Sequence, residues 1–154
     1  MFKIFFEDIT IGETETFGSY QVTKDEVIDF ASKYDPQPFH LDENIAKQSV
    51  FGGLCASGWH TCAMTMRIMV DHMMQQGFAG MGSPGVDEIK WKQPVFPGDT
   101  LSVRGEFIEK RESKSRPNLG LVKSRYQVFN QKNELVMQMV ANSMVLKRGE
   151  GPKN

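Results

Sequence analysis

The chain has 154 residues, 40% of them hydrophobic and 24% charged, with a formal net charge of −1 at pH 7. That length fits one domain, and a domain of this size buries roughly 70% of the surface its unfolded chain exposes, so no metal or disulfide staple is needed. The near-neutral balance argues against nucleic acid or an anionic membrane as a partner held by bulk electrostatics.

Several further features bound the class. Cys55 and Cys62, if both on one helix, stand about 10 Å apart along its axis at roughly 1.5 Å per residue, too far for a disulfide. Two free thiols fit a reducing compartment. Phe2-Lys3-Ile4-Phe5-Phe6 runs straight into Glu7 and Asp8, which is not the pattern of a signal peptide. The longest apolar stretch, 54–74, carries Arg67, Asp71 and His72 and so does not fit a membrane span. The expectation is a single cytoplasmic domain over residues 1–154.

In chain order, Thr16 to Val22 fits a strand. Thr23-Lys24-Asp25-Glu26 matches a capping box, in which the threonine and the glutamate satisfy each other's backbone amides. The helix it opens places Val27, Phe30, Ala31 and Tyr34 at helical spacing and ends at Asp35, because Pro36 disfavours helical geometry in the residue before it. Asp42 caps a short helix at about 43–48. Ser57 to Gln76 carries the strongest helical signal. Trp59, Cys62, Ala63, Met66, Met69, Val70 and Met73 form an apolar stripe, Ser57 serves as N-cap, and Gly77 as stop. Residues 77–85 form a glycine-rich loop.

The remainder reads as β structure. Val86 to Trp91 is one strand. Leu101, Val103 and Phe107 alternate with polar neighbours in a second. Lys110 to Gly120 is a long polar hairpin loop, and Leu121–Phe129 pairs with Leu135–Leu146 about a turn at 130–133. One long helix with several antiparallel strands is an α+β architecture, and a strongly curved sheet wrapped around the helix would bury it well.

Two stretches carry the chemistry. In Tyr34-Asp35-Pro36-Gln37-Pro38-Phe39-His40-Leu41-Asp42, two proton-moving side chains, Asp35 and His40, are joined by a proline-stiffened path. They can share one water. Partial burial beside apolar walls is expected to raise the Asp35 pKa and make it a better base. Phe51-Gly52-Gly53-Leu54-Cys55-Ala56-Ser57-Gly58 then opens the long helix, whose first amides are unpaired and lie at the positive end of the helix dipole. Ser57 and Gly58 therefore suit an oxyanion. Activated water beside a stabilised oxyanion is what hydration of an activated double bond requires. His60 and His72 lack companions at ligand spacing, so no metal or other cofactor is expected. They fit a helix-start side chain and a surface residue. Met64, Met66, Met69, Met73 and Met74 fit core filling.

Asp35-Pro36-Gln37-Pro38-Phe39-His40-Leu41-Asp42 resembles the D-x-N-P-x-H-x-D signature of the MaoC-like (R)-specific enoyl-CoA hydratases. Phe51 to Gly58 looks like the segment opening their central helix, and Pro94-Val95-Phe96-Pro97-Gly98-Asp99 is similar to their P-V-x-x-G-D turn. The three come in the family's order and span most of the chain. The resemblance implies a hot-dog fold, at least a homodimer, and an acyl-CoA thioester substrate, with Asp35 and His40 catalytic and the helix start at Gly58 as the oxyanion element. Gln37 stands where the family has Asn, and Met66 falls where some members place a Ser; both departures bear on substrate choice. Lys110 to Arg116 offers four basic residues to CoA phosphates or to solvent. Two other readings compete with the hydro-lyase. A hot-dog thioesterase needs a carboxylate near the thioester carbonyl but not the Asp35/His40 pair. A non-catalytic acyl-thioester-binding subunit needs neither.

Overall fold

Alternating apolar and polar residues make strands of the second half of the chain, and the computed structural model, which describes residues 1–149, joins them into one antiparallel sheet. The strands are β1 (Thr14–Gln21), β2 (Gly85–Trp91), β3 (Thr100–Glu112), β4 (Leu119–Phe129) and β5 (Leu135–Leu146). Their spatial order is β1-β3-β4-β5-β2. The last five residues of the expected domain, 150–154, lie outside the described residues. β3 and β4 run further into the expected Lys110–Gly120 loop than the polar composition implied, since Glu112 still pairs with Gly120. Asn133 takes a positive φ of 58° and closes the β4–β5 turn.

Three helices join the strands: α1 (Lys24–Tyr34), α2 (Glu43–Lys47) and α3 (Gly58–Gln76). Asp35 terminates α1 immediately before Pro36, and Asp42 Oδ1 accepts the amides of Asn44 and Ile45 to start α2. Only half of the expected capping box forms. Thr23 accepts the Glu26 amide, but the Glu26 carboxylate is taken by the Tyr20 hydroxyl instead. α3 lies across the concave face of the sheet, and its left-handed C-cap, Gly77, stops it. This is the hot-dog arrangement. Val22, Val27, Val95, Leu101, Val103, Val128, Val136 and Met137 form the main core and are each no more than 2% exposed.

The face that α3 buries differs from the expected stripe. His60, Thr61, Met64, Thr65, Ile68 and Met69 are buried, while Trp59 is 59% and Met66 50% exposed, and Val70 and Met74 are also exposed. Of the five methionines expected to fill the core, Met64 and Met69 do, Met73 is half-buried, and Met66 and Met74 are outside. The error has a physical cause. Hydrophobicity located an apolar face, but small hydroxyls lie on the buried one. Thr65 Oγ1 donates back to the Thr61 carbonyl at 2.8 Å, so its polarity is satisfied within the helix.

Cys55 is not on α3 but in the extended segment before it; both thiols are free. His72 is half-buried rather than on the surface. It stacks on Phe17 with ring centroids 3.9 Å apart and bonds Glu15 at 2.9 Å. Among the described residues, no three His, Cys, Asp or Glu side chains gather as a metal site, and no helix is long and apolar enough to cross a membrane.

Candidate active site

Local sequence rules bring Asp35 and His40 together. Asp35 sits where α1 must stop, and the prolines turn the chain into a short 3-10 turn, Pro38–His40, that carries His40 into the interior. His40 is 5% exposed. Its Nδ1 lies 2.7 Å from the Cys55 carbonyl oxygen. A carbonyl only accepts, so Nδ1 holds a proton, and Nε2 faces Asp35 Oδ2 at 3.4 Å. The Cys55 thiol is adjacent, but burial pushes it up to about 11, which leaves it a neutral thiol rather than a nucleophile.

The third element arrives from the start of α3. The Ala56 amide donates to the Val95 carbonyl at 2.8 Å, tying the segment before the helix to the Pro94–Asp99 turn. That turn is held by Asp99, which accepts the Phe96 amide and the Gln131 side chain, each at 2.9 Å. Ser57 occupies the N-cap position, yet its hydroxyl makes no cap hydrogen bond. It donates to Asp35 Oδ2 at 2.7 Å instead. Gln37 Nε2 donates to the other oxygen, Oδ1, also at 2.7 Å. The amide that stands where the family has Asn is therefore a direct partner of the carboxylate.

These contacts reverse the expected electrostatics of Asp35. Burial pushes its carboxyl up, but the bonds from Ser57 and Gln37 and the facing His40 together outweigh it and hold the group below the usual carboxylate value. The apolar walls are present; the donors that offset them come from elsewhere in the fold.

Asp35, His40 and Gly58 line one cleft of about 430 Å³, walled by Phe39, Phe51, Trp59 and Trp91. The Gly58 amide makes no hydrogen bond among the described residues. Gly58 is not in a left-handed conformation, so its small size serves space. A Cβ there would stand 2.7 Å from the Trp91 ring, whose Nε1–H donates to the Gly58 carbonyl at 2.9 Å. Trp91 and Lys92, which also line the cleft, escaped the sequence reading. A glycine at the first position of a strong helix was the available signal that something large approaches it.

Other expected contributors lie elsewhere. Met66 does not line the cleft; Thr61 does. Lys110 donates to the Phe6 and Ile9 carbonyls rather than standing free. It belongs to the hairpin at the far end of the sheet. Met137, paired with Trp91, is seven residues along β5 from Met144, which pairs with Leu121, a separation of roughly 23 Å at about 3.3 Å per residue. His60 is buried at 3%, stacked on Phe30, with Nδ1 unpaired.

Comparison with known proteins identifies the family. A family profile described as "MaoC like domain" matches residues 8–128. The uncharacterized protein YdeM of Bacillus subtilis is 30% identical, covering 86% of this chain and 92% of that protein. The 3-hydroxybutyryl-CoA dehydratase of Methylorubrum extorquens is 26% identical over 75% of this chain and 71% of its own length. The crystal structure of a MaoC-like dehydratase from Rhodospirillum rubrum is 39% identical, with a TM-score of 0.84 over 96% of this chain and all of that one. Matched in sequence along most of its length and in fold throughout, the chain belongs to the MaoC-like dehydratase family.

Proposed function

We propose that the protein interconverts a trans-2-enoyl-CoA and an (R)-3-hydroxyacyl-CoA by adding or removing water. The observation that carries this reading is the meeting of Asp35, His40 and the free Gly58 amide in one cleft. The dehydratase activity named for the Methylorubrum relative supports it.

In the hydration direction, the thioester oxygen accepts from the Gly58 amide, where the helix dipole favours developing negative charge. Water bound between Asp35 and His40 attacks the β-carbon and passes its proton to the Asp35 carboxylate. His40, its Nδ1–H donated to the Cys55 carbonyl, offers Nε2 to the water and orients it. Asp35 then passes that proton to the α-carbon, and one water has been consumed. A carboxyl held below its usual value is ionised at neutral pH, which suits Asp35 to accepting rather than donating at the start of this cycle. Among the described residues Asp35 is the only carboxylate lining the cleft, and it faces His40 as a hydration pair requires.

The working unit in this proposal is a homodimer. Among the described residues β2 ends the sheet with an unpaired edge; Trp91 of that strand meets Trp59 of α3, and Trp59, Met66, Val70 and Met74 of α3 are exposed. A free edge with an adjoining apolar stripe favours pairing with a second copy. The two free thiols fit a cytoplasmic location.

The deciding experiment is a panel of trans-2-enoyl-CoA esters from four to twelve carbons, with branched and aromatic members. Loss of enoyl absorbance and release of free thiol are followed in parallel, and product chirality is assigned. Hydration to the (R) product without thiol release is the expected result. Thiol release without hydration would assign a thioesterase, and neither would leave a binding subunit.

A further inference from the structure

The cleft of Asp35 and His40 has a closed end and an open one. His40, Cys55, Ala56, Thr61 and Val95 make the closed end, each no more than 6% exposed. Trp59, Trp91, Lys92 and Gln93 make the open end and are exposed. A thioester whose double bond reaches His40 therefore leaves its carrier arm at the open end, running out past Trp91.

Lys92 is the cation that the arm would meet there. Asp35, in the same cleft, does not neutralise it, because the Asp35 oxygens are taken by Ser57, Gln37 and His40. Among the described residues the Lys92 ammonium has no ion-pair partner: Glu88, which senses its charge, is held instead by Lys90 at 2.9 Å and Gln138 at 3.4 Å. The Lys92 backbone is fixed, since its amide donates to the Val136 carbonyl at 2.8 Å. The basic hairpin around Lys110, expected to offer charge to CoA phosphates, lies at the other end of the sheet.

The spacing selects which anion Lys92 would serve. The Trp91 indole bonds the Gly58 carbonyl at 2.9 Å, and Lys92 is the next residue. At ~3.8 Å between successive Cα atoms, its ammonium reaches on the order of 10–15 Å from the Gly58 amide. An extended pantetheine arm spans on the order of 15 Å from thioester to phosphate. A carboxylate on the acyl group would instead lie at the closed end, where neither lysine nor arginine lines the cleft.

We propose that Lys92 binds the phosphate ester at the end of the substrate's pantetheine arm, the group that coenzyme A and an acyl carrier protein share. This rests on the thioester reading of the cleft. Lys92 is a binding residue in it and takes no part in proton transfer.

Butyryl thioesters have no double bond to hydrate, so they separate binding from turnover. Butyryl-CoA, butyryl-pantetheine 4′-phosphate and butyryl-pantetheine are titrated calorimetrically into the full-length protein and its Lys92→Gln, Lys92→Arg and Lys90→Gln variants. The wild type is expected to bind both phosphorylated thioesters at least ~5-fold more tightly than butyryl-pantetheine. Lys92→Gln should abolish that preference for both, and Lys92→Arg should keep it. Lys90→Gln makes the same change in net charge and should also keep it. The proposal is overturned if the wild type shows no preference, if no thioester binds at about 10 mM, or if Lys92→Gln leaves the preference intact. An equal loss in Lys90→Gln would reduce the effect to bulk charge and overturn it too. A loss confined to butyryl-CoA would move Lys92 to the nucleotide end and overturn the assignment to the arm. Hydration of crotonyl-CoA, followed in parallel, keeps the two readings apart. Lys92-dependent binding without hydration rejects the hydratase and leaves the phosphate site standing, whereas hydration with a KM that Lys92→Gln does not raise rejects the phosphate site alone.

Discussion

Replacing Gly58 with alanine probes the proposed oxyanion element and its packing together. At an unhindered position, exchanging glycine for alanine stabilises a protein by ~0.4–1 kcal/mol, because the unfolded chain loses freedom. Here the new Cβ would stand 2.7, 2.9 and 3.0 Å from Cε2, Nε1 and Cδ2 of Trp91, against a contact distance of ~3.5–4.0 Å between carbons. The ring is 44% exposed, so it can move only by giving up the contacts that hold it. It donates to the Gly58 carbonyl and meets Trp59 edge-on with centroids 5.2 Å apart. Overpacking of this kind costs ~1–3 kcal/mol, and the displaced indole hydrogen bond adds ~0.5–1.5 kcal/mol, so the clash outweighs the entropic gain. A net loss of ~0.5–4 kcal/mol lowers Tm by ~1–16 °C at ~2–4 °C per kcal/mol. Displacing an oxyanion donor lowers kcat by ~100- to 1,000-fold. Thermal unfolding and initial hydration rates measure the two effects. The double variant Gly58→Ala/Trp91→Ala removes the obstacle, so its destabilisation should fall short of the sum of the singles. A Gly58→Ala protein that melts higher than the wild type and turns over at full rate would refute both the clash and the oxyanion role.

Asp35→Asn and His40→Ala should each lower turnover at least ~100-fold with the fold retained; circular dichroism checks the fold, and more than about a tenth of wild-type activity in either would reject the acid–base assignment. Asp35 ionises below the usual carboxylate value, so its contribution to stability is complete above that value and is lost as pH falls through the lowered one. Ser57→Ala deletes a bond that lowers this pKa and leaves the burial, so the acid limb of kcat/KM must move to higher pH. A limb that stays in place or moves down would show that Ser57 does not set it. Val70→Glu places a charge in the exposed stripe of α3 and is expected to yield monomers in light scattering at micromolar concentration, whereas an unaltered mass would remove α3 from the interface.

Much of the fold was legible in order and type. Alternation marked β3 and the β4–β5 hairpin, and Pro36 fixed where α1 stops. The meeting of Asp35 and His40 was legible because both lie on one short, proline-stiffened loop, where local geometry decides what meets. The buried face of α3 was not legible. An apolar stripe signals a surface that avoids water, but the core and a partner surface both satisfy it, and threonines that bond their own helix can turn inward at little cost.

The amino-acid order by itself therefore determined the elements, the acid–base loop, and the glycine that opens α3, since each depends on residues within a few positions of one another. Tertiary structure alone decided the state of Asp35 and the crowding at Gly58. The Ser57 hydroxyl reaches Asp35 from 22 residues away, and the Trp91 indole reaches Gly58 from 33 away. No local pattern encodes either distance. Whether a carboxylate is raised by burial or lowered by donors depends on which groups the fold packs around it, and those groups are distant in the chain.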